Sequence, residues 1–203
     1  MTVRAAVGFG ILAGGGILLY EYLTGNLANV VSPPVGSNVT TTTNAISDPN
    51  QASGSSSVTQ GFLNLLASIE SGGNPDAKNP NSSASGLFQF TKSTAQALGL
   101  PWGSDPSQPF GGANVSVDDQ INAAQDLTNQ NASILSKNGI DLTNSSLYAA
   151  HFLGPSTAVK VLSAPVTSSL STLIGKNAMV ANGFPSTWNV GNFMSWLTGK
   201  TGG

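Results

Sequence analysis

Ser57-Val58-Thr59-Gln60-Gly61-Phe62-Leu63-Asn64-Leu65-Leu66-Ala67-Ser68-Ile69-Glu70-Ser71-Gly72-Gly73 is the stretch whose periodicity sets the fold. Phe62, Leu65, Leu66 and Ile69 recur at the three- and four-residue intervals of one helical face. Ser57 and Gln60 have capping-box spacing, so the pattern predicts a helix over about 58–70. Gly72 and Gly73 supply a left-handed stop and leave Glu70 in the last turn. There its carboxylate faces the negative end of the helix dipole, with apolar Ile69 and, further on, Phe88 to desolvate it. Both effects disfavour the charged form and raise the pKa. A carboxyl in that state can hold a proton near neutral pH and donate it.

Downstream the same reasoning predicts more helices. Ser93-x-x-Gln96 opens a short one that Gly99 and Pro101 end. Ser116 caps a long one to about Lys137, with Asp119 in its first turn and Ile121, Ala124, Leu127, Ile134 and Leu135 along one side. Asn144 to Leu153 follows, stopped by Gly154, and Pro155 opens another through about Ser163. Residues 166–203 contain turn signals around Gly183-Phe184-Pro185 and a last helix from Gly191 to Leu197. No alternating strand and no repeat stand out, so the expected class is mainly α.

Upstream, residues 5–20, AAVGFGILAGGGILLY, carry no charge. With Glu21 as the sole acid up to Leu23, the run nears the roughly 17–25 residues of a spanning helix. Residues 1–23 therefore read as an uncleaved membrane anchor, with a removable signal peptide and a buried soluble helix as alternatives. Arg4 precedes the run and the next basic residue is Lys78, which puts the N-terminus on the cytoplasmic or interior side and the rest across the membrane, on the cell-wall side or in a virion membrane. Ala6, Gly10 and Gly14 at four-residue spacing would let two such helices approach and self-associate. Residues 24–57, rich in Ser, Thr, Asn, Gly and Pro, read as a flexible linker with a reach on the order of 30 Å. The folded domain is then 58–203.

Composition narrows the chemistry. Only 8% of the 203 residues are charged and the net charge is −2, without a basic stripe, so a nucleic-acid partner is not expected. No cysteine and a single histidine leave no Cys/His zinc set, and neither metal nor cofactor is implied. A proton-donating glutamate in so uncharged a chain suggests a polar, uncharged substrate such as a glycan. The partner acid that most glycosidases need would have to come from Asp76, Asp105, Asp118, Asp119, Asp126 or Asp141.

Three segments carry a resemblance. Glu70-Ser71-Gly72-Gly73-Asn74-Pro75, Gly86-Leu87-Phe88-Gln89-Phe90 and Ala149-Ala150-His151-Phe152-Leu153-Gly154-Pro155 resemble, in order, the signature blocks of lytic transglycosylases with a goose-type-lysozyme-like domain, over about 60–165. The third block departs from the cellular pattern Ala-Tyr-Asn-Ala-Gly. With His151 and Phe152 there, and Tyr148 three residues before, it is similar to virion-associated phage members.

The resemblance implies an α+β lysozyme-like superfold that cuts the β-1,4 bond between N-acetylmuramic acid and N-acetylglucosamine in peptidoglycan, leaving a 1,6-anhydro end. It implies Glu70 as general acid and then base, supported by Ser71, with Gln89 and Phe88 at the sugar. Tyr148 and His151 share a helix face at i and i+3, so either could reach Glu70. Such an enzyme would open the wall locally, for phage penetration or an envelope-spanning assembly, beside virion or secretion-complex proteins. A hydrolase of the same bond and a non-catalytic wall- or membrane-docking protein are the alternatives. Trp188 and Trp196 are either sugar platforms or core.

Overall fold

The computed structural model describes residues 54–202 and two N-terminal strands, β1 (Val7–Ile11) and β2 (Ile17–Glu21). The helices are α1 (Gly54–Ser71), α2 (Lys92–Ala97), α3 (Val117–Lys137), α4 (Asn144–Leu153), α5 (Pro155–Leu162), α6 (Leu170–Ile174), α7 (Lys176–Ala181) and α8 (Val190–Thr201). The domain is mainly helical, as expected. Its extended pairing is reduced to bridges such as Lys78 with Ser85 and Ser85 with Phe90, around the second signature segment.

The middle of the domain is α4, and its sequence explains why. Ser146 to Leu153 are all buried, which makes α4 a core helix enclosed around its whole circumference. Thr143 caps it, and Ser146 returns a bond to the Thr143 amide at 2.9 Å, closing a capping box. Gly154, at φ 77° and ψ 148°, ends α4 and starts α5 in backbone territory that only glycine occupies comfortably. Phe152 of α4 then meets Phe184, Phe193 and Trp196, with ring centroids 5.1–6.4 Å apart. Residues 166–203 therefore complete the core: Leu170, Phe193 and Leu197 are fully buried.

Several boundaries differ from expectation. α1 starts at Gly54, within the stretch read as linker, so Ser57 lies inside the helix rather than at its start. Thr91 caps α2 in place of Ser93, because its hydroxyl accepts from the Thr94 amide at 3.3 Å. α6 and α7 were not foreseen: at five and six residues they are too short to show periodicity.

Only Val7–Ile11 and Ile17–Glu21 of the segment read as a membrane anchor are described, and both are extended. β1 and β2 pair antiparallel, Val7 opposite Glu21 and Ile11 opposite Ile17. Gly8, Gly10, Gly14, Gly15 and Gly16 would each cost a helix interior about 1 kcal/mol, whereas Val7, Ile11, Ile17 and Tyr20 favour extended backbone. Among the described residues no helix is long and apolar enough to cross a membrane. The rest of that segment, including Ala6 and Gly14 of the self-association reading, and residues 24–53 of the linker lie outside the described residues.

Candidate active site

Glu70 sits one residue from the end of α1, where Gly72 (φ 63°) and Gly73 (φ 81°) turn the chain left-handed. Their amides return to the Ser68 and Ala67 carbonyls at 3.2 and 3.1 Å and fix the stop. The Ser71 hydroxyl donates to Ala67 O at 3.1 Å, so it serves the last helical turn. Glu70 points inward with 0% of its surface exposed, and neither carboxyl oxygen has a hydrogen-bond partner. An ionised carboxylate so placed is costly. Burial accordingly pushes its pKa up to about 8, against the weaker pull of the Tyr148 hydroxyl and the Lys200 charge. The Tyr148 hydroxyl is near enough to act as a donor yet stops short of a bond of normal geometry.

α4 brings the other two polar groups. His151 Nε2 lies 3.7 Å from Glu70 Oε1, and burial pulls the imidazole pKa down to about 4. Near pH 7 the contact therefore joins a neutral acid to a neutral imidazole. The Tyr148 ring lies nearly parallel to that of His151, centroids 6.5 Å apart. Burial first, then the Glu70 charge, raise the Tyr148 phenol above its usual range, which keeps it a donor. Trp196 of α8 packs on Tyr148 at 6.0 Å, and Lys200 Nζ stands 5.9 Å over the Trp196 ring. Trp188 stacks on Phe184 at 4.9 Å, so both tryptophans belong to the aromatic core rather than to a free platform.

The second signature segment is a closed turn. Ser85 and Phe90 exchange two backbone hydrogen bonds of 3.0 Å, and Gln89 Nε2 donates to Gly86 O at 3.0 Å. Gln89 holds a positive φ of 49°, a strained value for a residue with a side chain. Its amide thus shapes its own turn. Gly86 (φ 77°) is irreplaceable for another reason: a Cβ there would collide with Gln120 Oε1 and the Phe110 ring. Phe88 is buried and touches Phe90, ring centroids 5.8 Å apart.

A cavity of about 280 Å³ runs beside the C-terminal half of α1, between Gln60, Asn64, Ser68 and the Gly72-Gly73 stop on one side and Leu87, Phe88 and Ile121 on the other. No charged side chain lines it. Glu70 lies about 60° round α1 from the lining residue Ala67 and is not part of the wall.

The structure thus brings Glu70, Tyr148 and His151 together and puts Phe88 on the cavity, while Ser71 and Gln89 hold backbone. Asp76, Asp105, Asp118, Asp119, Asp126 and Asp141 are all exposed; Asp105 binds Ser107, and Asp119 binds Ser116. Among the described residues no group of three His, Cys, Asp or Glu stands close enough to hold a metal. Gln120 and Lys200 escaped the sequence reading. Gln120 left a trace, for it shares the face of Ala124, Leu127 and Leu135, and a polar residue on an apolar stripe calls for buried partners.

No curated protein matches the chain. Residues 44–125, which hold Glu70, Ser71, Phe88, Gln89 and Gln120 but end before Tyr148 and His151, match the family model described as Transglycosylase SLT domain.

Proposed function

We propose that the protein is a peptidoglycan lytic transglycosylase with Glu70 as its single acid and base. The observation that carries this reading is one wholly buried, proton-holding glutamate inside the matched segment, with every described aspartate outside the masked stretches exposed. A two-carboxylate hydrolase needs a partner acid at a set distance. A transglycosylase does not. Glu70 gives its proton to the oxygen between N-acetylmuramic acid and N-acetylglucosamine as that bond breaks, and the substrate's own N-acetyl carbonyl stabilises the positive anomeric carbon. The Glu70 carboxylate then takes the proton of the C6 hydroxyl, whose oxygen closes the 1,6-anhydro ring.

The polar groups of α4 suit both halves of this cycle. The nascent carboxylate is buried, and the Tyr148 hydroxyl is the donor positioned to stabilise it. His151 stays neutral beside it and adds no fixed positive charge that would strip the acid of its proton beforehand. Because Glu70 is sealed from solvent, substrate binding has to open its cover; hydration on opening lowers the proton affinity and favours release toward the glycosidic oxygen.

Mass spectrometry of peptidoglycan treated with the full chain tests the reaction. Anhydro ends, one water lighter than hydrolysed ends, are expected from wild type, with a loss of at least about 100-fold in Glu70→Gln. Hydrolysed ends would replace the reading with the lysozyme one, and equal clearing by both chains would end it.

We further infer that the apolar residues 5–23 tether this activity to a bilayer, so that the wall is opened locally, during phage penetration or within an envelope-spanning assembly. A two-stranded hairpin leaves unpaired edges that hydrocarbon does not tolerate, so tethering requires the segment to become helical in lipid or to stay at the interface. Vesicle flotation of the full chain, with circular dichroism of a 1–25 peptide in vesicles, tests this; a chain that stays with the soluble fraction refutes it.

A further inference from the structure

The cavity along α1 has walls from segments far apart in sequence: the end of α1, the turn around Leu87 and Phe88, and Ile121 of α3. One buried side chain joins them. Gln120, 1% exposed, accepts from the Leu87 amide at 2.8 Å and donates to Pro75 O at 3.2 Å and to Val115 O at 3.3 Å. The amide fits one way round only, since an N–H group faces its oxygen and two carbonyls face its nitrogen. Pro75 lies two residues past the glycine stop behind Glu70, and Leu87 belongs to the opposite wall. The absence of a Cβ at Gly86 leaves the room in which the Gln120 oxygen sits.

We propose that Gln120 is a positioning residue that sets the spacing between the two walls and thereby the affinity for a glycan strand in the cavity. The lining suits that occupant: uncharged Gln60, Asn64 and Ser68 at the polar positions, with Leu87, Phe88 and Ile121 offering apolar surface to sugar-ring faces. This rests on the glycan-cleaving reading of the site. Gln120 touches neither Glu70 nor the bond to be broken, so its removal acts on binding.

The probe is a soluble oligomer of alternating N-acetylglucosamine and N-acetylmuramic acid, titrated into the full chain carrying Glu70→Gln so that no turnover occurs. Adding Gln120→Met is expected to weaken binding about tenfold and to speed hydrogen exchange of the Leu87 amide. In the chain with Glu70 intact, KM should rise with kcat and its pH dependence unchanged. Gln120→Glu keeps an acceptor for Leu87 and, protonated in its buried site, one donor for the two carbonyls, should bind with intermediate affinity, and decides the matter if the methionine variant fails to fold. Unchanged affinity in the folded variants, a fall in kcat at constant KM, or no glycan binding by the Glu70→Gln chain overturns the proposal. If binding and exchange respond as expected but the wild type leaves peptidoglycan uncut, the catalytic reading falls and the positioning role of Gln120 stands.

Discussion

Glu70 and His151 both sit in the uncharged state that burial imposes, and their opposite signs give the fold a particular pH response. Between the ordinary glutamate value of 4.5 and the raised value of about 8, the folded chain holds a proton that the unfolded chain has released, so stability falls across that interval as pH rises. For His151, lowered from 6.5 to about 4, the unfolded chain holds the extra proton between those values, and stability rises. The two slopes oppose each other between 4.5 and 6.5, leaving a net loss from pH 6.5 to 8. Thermal melts should show the wild type weakening over that last range. Glu70→Gln, which cannot ionise, should lose nothing there, and parallel curves for the two proteins would contradict a buried, proton-holding Glu70. Tyr148→Phe supplies a second check. The hydroxyl lowers the Glu70 pKa, so its loss should move the alkaline limb of the rate profile to higher pH; an unmoved limb would mean that the phenol does not act on the acid.

The elements matter here through their ends. α1 delivers Glu70 because two glycines stop it just past that residue, and α4 delivers Tyr148 and His151 because Thr143 fixes its start and Gly154 its finish. Gly154→Ala forces a side chain into φ 77°, ψ 148°, at a cost of roughly 1–3 kcal/mol. Urea unfolding should report that loss, and an unchanged midpoint would show that the α4–α5 joint relaxes freely. Helix starts and stops of this kind were legible in the sequence. The bounds of α4 were read correctly from Asn144, Gly154 and Pro155, and α3 from its Ser116 cap, since capping is chemistry between residues three apart. The N-terminal apolar run was not legible in this way. Length and hydropathy suggest a spanning helix there, and neither measures the cost of the glycines that the run contains.

At the scale of the whole molecule, residues beyond the matched segment finish the site. α8 lays Trp196 on Tyr148 and buries Phe193 and Leu197 against α4, and Ser145 meets Thr201 at 2.8 Å. A chain ending at Pro185 should therefore lose cooperative unfolding and near-ultraviolet circular dichroism; a native-like melt would show that the α4 core stands without α8. By itself the sequence determined that the domain is helical and that Glu70 lies in the last turn of α1, before the stop at Gly72 and Gly73, because periodicity, caps and glycine stops act over a few residues. Only the tertiary structure decided that Glu70 is sealed beside Tyr148 and His151, that Gln120 ties the cavity walls and that Trp188 and Trp196 pack against the core. Those properties depend on which distant segments exclude water from one another, and desolvation is a sum over everything packed around a group rather than a trait of its neighbours in the chain.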